Sequence, residues 1–124
     1  MNELAAKISA SEVEVLEVLW QADAPMPIAA IRAALEGGHQ WDASTVKTLL
    51  RRLCEKGAVQ LERRGMYRAV ITQAQYGRWS ARHLVDQVFN GSAKKLVASL
   101  LSDGQLSQAE IAELSALFHQ EEST

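Results

Sequence analysis

Val13, Leu16, Leu19 and Trp20 recur at the three-and-four spacing of an amphipathic helix. Two hydroxyl–carboxylate pairs fit a capping box at its start, Ser9 with Glu12 and Ser11 with Glu14, so the first residue is fixed only to within a turn. Ala24-Pro25-Met26-Pro27 breaks the pattern, and Pro27 suits the first turn of a second helix, where its missing N–H is not needed. Ile28, Ile31, Ala34 and Leu35 give that helix one apolar face, and Gly37–Gly38 stops it. His39, Gln40 and Trp41 form a short link with room for a one-bridge strand. Asp42 then caps a third helix, Ala43 to Lys56, and Gly57 takes the left-handed position beyond its end. Within it, Val46, Leu49, Leu50 and Leu53 form a core stripe. At about 100° per residue, Ser44, Thr48, Arg51 and Glu55 point the opposite way, with Thr45, Lys47 and Arg52 on the flanks.

The period then shortens to two. Val59, Leu61 and Arg63 alternate with Gln60, Glu62 and Arg64, and after Gly65 the run Met66 to Ile71 is rich in strand-favouring residues. Two strands around a basic, Gly-containing turn read as a hairpin. Thr72 caps a fourth helix reaching about Phe89, with Ala81, Leu84, Val85 and Val88 on one side, and Asn90–Gly91 closes it. Ser92 opens a fifth helix carrying Leu96, Val97, Leu100 and Leu101. After the Asp103–Gly104 turn, Ser107 and Glu110 box a sixth, with Ile111, Leu114, Leu117 and Phe118. No internal repeat is present.

This order of three helices, a hairpin and three helices predicts a mainly α chain with a small β-hairpin. The first five elements match a winged helix-turn-helix, a fold that sets its third helix in the DNA major groove and its hairpin against the backbone. Residues 1–72 are expected to form that DNA-binding domain and residues 73–124 a three-helix dimerisation domain. The apolar groups of the last three helices are too many for three short helices to bury alone. Val85, Val88, Phe89, Leu96, Leu100, Leu101, Ile111, Leu114, Leu117 and Phe118 are therefore the expected dimer contacts.

Composition narrows the class. Of 124 residues, 48% are apolar and 23% charged, as in ordinary globular proteins. The single cysteine, Cys54, excludes an internal disulfide and any zinc site needing two cysteines, and it suits a reducing compartment. No stretch approaches the roughly 20 apolar residues of a membrane span. Met1 to Ala10 lacks the apolar block of a signal peptide, so a cytoplasmic protein without membrane insertion is expected. The net charge of −2 argues at first against nucleic acid, but its distribution reverses that. Residues 1–41 sum to −4, residues 42–82 to +6 and residues 83–124 to −4. A local patch, not net charge, sets the potential an anion meets.

The third helix opens with small hydroxyl side chains, Ser44, Thr45 and Thr48, which let a helix sit deep in a groove and touch base edges. Lys47, Arg51, Arg52 and Lys56 can take guanine or phosphate, and the hairpin adds Arg63, Arg64 and Arg68. The competing reading of the helix is a solvated charged face. Cys54 is read as a small half-buried side chain rather than a reactive thiol. His39, His83 and His119 show no metal-ligand spacing, and no nucleophile-elbow, phosphate-loop or paired-carboxylate motif occurs, so no metal, cofactor or enzymatic activity is expected. Trp20 and Trp41 read as packing residues. Tyr67 can reach a phosphate or pack, and the sequence leaves both open.

These residues resemble a known family. The stretch Ile8-Ser9-Ala10-Ser11-Glu12-Val13-Glu14-Val15-Leu16-Glu17-Val18-Leu19-Trp20 is similar to the opening of the BlaI/MecI/CopY-type bacterial repressors, the penicillinase repressors. Trp41, the run Thr45 to Leu53, and Lys56-Gly57 resemble their recognition helix. Gly91, Leu106-Ser107, Glu110-Ile111 and Glu113-Leu114 resemble their C-terminal part. The resemblance implies a homodimeric winged-helix repressor of double-stranded operators with dyad symmetry. It also implies relief by cleavage in the dimerisation part, driven by a membrane-bound sensor metalloprotease, which frees antibiotic-resistance genes. The cleaved bond, Asn–Phe in the family, falls at Ser99–Leu100 here. Asp42-Ala43-Ser44 stands where many relatives have Ser-Pro-Lys, so one basic contact is missing. The cysteine cluster of the copper-sensing branch is absent after Cys54. Two other readings stay open: a repressor governed by a small ligand in the helical domain, and a winged-helix module that binds only protein.

Overall fold

A computed structural model of the chain describes residues 7–123, with side chains described as far as residue 120. The elements run α1 (Ala10–Ala22), β1 (Met26–Pro27), α2 (Ile28–Leu35), α3 (Ala43–Glu55), β2 (Val59–Glu62), a 3₁₀ turn (Arg63–Gly65), β3 (Met66–Ala69), α4 (Gln73–Val88), α5 (Ala93–Ser102) and α6 (Gln108–Ser123). Among the described residues, six helices and the hairpin fall where the periodicity places them. The chain divides into two compact units, the first ending at Ala81 and the second starting at Arg82. The division lies within α4, in an element the sequence reading placed wholly in the second domain.

The sheet adds a strand that the sequence did not announce. Its order is β1-β3-β2, all antiparallel, with Met26 opposite Tyr67 and Pro27 opposite Met66. The bridging strand is thus Met26–Pro27, not the His39–Trp41 link, which forms none. Two residues are too few for a period-2 pattern, and Pro27 reads equally well as a helix start. It is both, since its extended backbone is also the N-cap of α2. The hairpin proper pairs Val59 with Ala69, Gln60 with Arg68, Leu61 with Tyr67 and Glu62 with Met66.

One core holds the first unit together. Val15, Leu16 and Leu19 of α1, Ile31 and Leu35 of α2, and Val46, Leu49, Leu50 and Leu53 of α3 are buried with Ile8, Ala58, Val59 and Ile71. The buried face of α1 is turned slightly from the expected one: Val15 and Glu12 are inside, while Val13 and Trp20 are half-buried. Ala34 of α2 and Ala81 of α4, both expected on apolar faces, are exposed. Trp20 packs as expected, its Nε1–H donating to the Ile71 carbonyl at 2.9 Å and its ring 6.0 Å from that of Tyr76.

Glu12 is the buried charge of this core, 1% exposed. Ser9, not Ser11, is the N-cap: its N–H donates to Glu12 Oε1 at 2.8 Å, and the Glu12 N–H donates to Ser9 Oγ at 3.2 Å. Lys56 Nζ, just past α3, donates to the same Oε1 at 2.6 Å and to the Lys7 carbonyl at 2.6 Å. Burial opposes the charge on Glu12, yet the hydrogen bonds from Lys56 and Ser9 and the Lys56 charge outweigh it and hold the carboxyl below its ordinary value. A pKa lower in the folded chain stabilises it fully above the unfolded value, and that contribution is lost as pH falls through the folded one.

In the second unit no described side chain is fully buried. Val85, Phe89 and Leu96 are half-buried, while Val88 is 63% exposed and Phe118 64%. Leu100, Leu101, Ile111, Leu114 and Leu117 are exposed as well.

The Glu12 geometry gives a test by urea unfolding at a series of pH values. Glu12→Gln should lower stability by about 2 kcal/mol at neutral pH, because it removes the charge from a buried, hydrogen-bonded pair. The difference from the unaltered chain should shrink as pH falls below the ordinary carboxyl value of 4.5.

Candidate nucleic-acid interface

The interface is built on α3, and its orientation follows from how that helix begins, packs and ends. Asp42 caps it: Oδ1 accepts from the Thr45 N–H at 2.9 Å and the Ser44 hydroxyl at 2.8 Å. Those bonds, the Thr45 backbone first and Ser44 next, hold the Asp42 carboxyl below its usual range. Upstream, His39 pairs with Glu14 of α1 and stacks on Trp41, with ring centroids 4.0 Å apart and planes 8° from parallel. The helix closes in a Schellman motif. The Ala58 N–H donates to the Leu53 carbonyl at 2.9 Å and the Gly57 N–H to the Cys54 carbonyl at 3.1 Å. That closure needs Gly57 at φ +81°, a conformation side chains disfavour.

With Val46, Leu49, Leu50 and Leu53 inside, Ser44, Lys47, Arg51 and Arg52 are exposed and Thr45 and Thr48 half-buried. Between α3 and the hairpin runs a groove of about 590 Å³. It brings Ser44, Lys47, Thr48 and Arg51 against Gln60, Leu61 and Tyr67, with Cys54 and Val59 behind. Four of the expected contact residues therefore share one surface with the wing. Thr45 and Arg52 do not line it. Arg63 lies in a separate cleft with Pro25, Gln60, Glu62 and Met66, and Arg64 lines neither. Arg63 and Arg64 are both exposed in the 3₁₀ turn at the wing tip, where Arg64 has φ +66°.

The remaining cations differ. Arg68 is engaged across the hairpin, with Nη2 donating to Gln60 Oε1 at 2.5 Å and Nε to Glu62 Oε2 at 3.3 Å. Lys56, read as part of the outward charge, reaches back to Glu12 instead. The groove also holds residues that sequence reasoning did not assign to the site. Leu61 is 54% exposed although Val59, on the same strand face, is buried. Strand alternation marks Leu61 as apolar but cannot tell that the core ends at Val59. Tyr67 is half-buried in this groove, opposite Leu61. Cys54 is half-buried as expected, and burial pushes its thiol pKa up, so it is a poor nucleophile. Among the described residues, no group of three or more His, Cys, Asp or Glu side chains can hold a metal ion, and no helix is long and apolar enough to cross a membrane.

A trihelical core, a three-stranded sheet whose β2–β3 hairpin is the wing, and a cation-edged groove between helix and wing define a winged-helix protein. A sequence profile of the penicillinase repressor family matches residues 8–120, and the chain belongs to that family. It is 30% identical over 111 residues to the penicillinase repressor of Bacillus licheniformis, covering 87% of this chain and 86% of the relative. It is 26% identical over 120 residues to the methicillin resistance regulatory protein MecI of Mammaliicoccus sciuri, and equally to that of Staphylococcus aureus strain N315, with 92% of this chain and 94% of each relative covered. Proteins of this family are transcriptional regulators, and this chain is a transcriptional repressor rather than an enzyme.

The closure of α3 is open to a direct check. Gly57→Ala should lower the unfolding free energy by about 1 kcal/mol, because alanine resists the left-handed backbone. Gly37, which has open space around a would-be Cβ and no positive φ, supplies the control. Gly37→Ala should stay within about 0.5 kcal/mol of the unaltered chain in the same denaturation series.

Proposed function

We propose that this repressor acts as a homodimer on operators with dyad symmetry, setting α3 in the major groove and the wing on the adjacent backbone. The observation that carries this reading is the shared surface of α3 and the wing. Arg51, opposite the buried stripe of its helix, and Lys47, on the flank, stand exposed on the groove edge beside the hydroxyls of Ser44 and Thr48. Lys47 and Thr48 read bases, with Ser44 and Thr45 lying close against them. Arg51, Arg52, Arg63 and Arg64 hold phosphates and fix the register.

Dimerisation is assigned to the helices from α4 onward. The exposed apolar groups from Val88 to Phe118 support it, because a soluble monomer rarely leaves so many large apolar side chains in water. The functional boundary is placed near Thr72, before α4. Two-fold pairing fixes the separation of the two α3 helices, so half-sites should be spaced by near-whole helical turns. Relief of repression is assigned to cleavage at Ser99–Leu100, within α5, through a membrane-bound sensor metalloprotease. Both residues are exposed there. The setting is cytoplasmic, and the regulated genes are of the antibiotic-resistance type, as the names of the relatives suggest.

Operator affinity should fall as salt rises, with each neutralised phosphate contributing about −0.9 to the slope of log affinity against log salt. A flat slope would contradict the DNA reading and leave a protein-binding module in its place. Lys47→Ala should weaken binding and blur sequence discrimination by roughly 1–3 kcal/mol. Arg64→Ala should weaken all duplexes alike. The reverse pattern would overturn the assignment of α3 to the groove.

A fragment ending at Ser99 should keep a folded head, sediment as a monomer and lose most operator affinity, because the linked second head raises the effective concentration. A fragment that stays dimeric and binds as tightly as the intact chain would contradict both the dimer assignment and the cleavage switch.

A further inference from the structure

The charge at the end of α3 does something other than face DNA. Lys56 follows the last residue of the helix, on the element proposed to read the operator. Its ammonium is turned to the opposite side, onto Glu12 Oε1 and the Lys7 carbonyl, each at 2.6 Å. Glu12 is inside the core, and its position on α1 is fixed in turn by the reciprocal bonds with Ser9. Its second carboxylate oxygen, Oε2, is buried with no hydrogen-bond partner among the described residues, and Oε1 carries the pairing with Lys56 and Ser9. A charge so placed is strongly directional: moving Lys56 by an ångström or two would leave a buried carboxylate short of its countercharge. Apolar packing along Val46, Leu49, Leu50 and Leu53 fixes which face of α3 is buried, but it is non-directional and supplies no specific bond at the end of the helix. The Glu12–Lys56 pair supplies the fixed point that packing lacks.

We infer that Glu12 and Lys56 are positioning residues for operator recognition, an internal ion pair that anchors the C-terminal end of α3 on α1 and so aims Lys47 and Arg51, and that Lys56 is not a phosphate ligand. This rests on the reading of α3 as the groove-binding helix. The anchor is matched at the other end of the helix, where Glu14 of the same α1 pairs with His39 beside the Trp41 stack just ahead of the Asp42 cap. Two carboxylates two residues apart on α1 thus tie the entry and the exit of α3.

The test compares operator affinity and its salt dependence for the full-length chain and for Glu12→Gln, Lys56→Met, Lys56→Arg and Arg64→Ala. The duplex is one selected by the unaltered protein from a random pool, and the helical content of each variant is checked by circular dichroism at the binding temperature. Glu12→Gln and Lys56→Met should each weaken binding about tenfold, the scale of coupling through a supporting contact, while the salt slope stays that of the unaltered chain. Lys56→Arg, which keeps the charge, should recover most of the loss. Arg64→Ala should lower the magnitude of the slope by about 0.9, as a lost phosphate neutralisation would.

A Lys56→Met slope reduced by the same amount would show that Lys56 meets a phosphate and would overturn the assignment. So would folded Glu12→Gln and Lys56→Met chains that bind like the unaltered one. Should both lose their helical content, the Lys56→Arg chain decides: a folded Lys56→Arg protein that binds no better than about a tenth as well as the unaltered chain contradicts the anchor. An unaltered protein that selects no duplex at all removes the DNA reading itself, an outcome distinct from any of these.

Discussion

Burial of one stripe of α3 is the constraint on which the rest depends. Val46, Leu49, Leu50 and Leu53 are all inside the core, and a helix that commits four residues at that spacing to one side has no freedom over what it shows on the other. The hydroxyl and cationic side chains of Ser44, Lys47, Thr48 and Arg51 are outward because those four are inward. Each whole Leu removed from water is worth about 2 kcal/mol, and an emptied site adds the cost of a cavity. The outward face of α3 is thus held by the buried core, while the exposed side chains proposed to meet DNA contribute little to holding it.

Charge placement follows the same division of labour. The surplus of the middle third is not spread evenly over its nine basic residues. Lys56 is spent on a buried carboxylate and Arg68 on the hairpin, leaving the groove edge to Lys47 and Arg51 and the wing tip to Arg63 and Arg64. The acidic flanking segments lower the net charge while the middle third keeps its surplus of cations, a distribution that fits the proposed selective binding, since a uniformly basic chain would hold any duplex. The second unit has a complementary character, with large apolar groups in water and no described core of its own. Such a surface supports the proposed pairing with a partner copy.

Much of this was readable in the sequence because the informative signals are local. Asp42 and Gly57 bracket α3, the stripe sets its face, and the change of period at Val59 marks the wing. What stayed hidden depends on contacts between segments far apart in the chain. β1 is two residues long and exists only because β3 lies beside it. Glu12 looks like an ordinary capping-box carboxylate, and nothing local says that Lys56, forty-four positions away, completes it. Leu61 lines the groove and is exposed, whereas Val59, two positions earlier on the same strand face, is in the core. Alternation along a strand cannot reveal where its cover stops.

The central claim is that DNA meets the face of α3 opposite its buried stripe, together with the wing. Amide chemical shifts of the isotope-labelled chain, followed as a selected operator duplex is added, test it most directly. The largest changes should fall on Ser44 to Arg51 and on Arg63 to Gly65, with Ile31 and Leu35 of α2 little moved. Changes centred on α2 or on α5 and α6, with Ser44 to Arg51 unmoved, would contradict it.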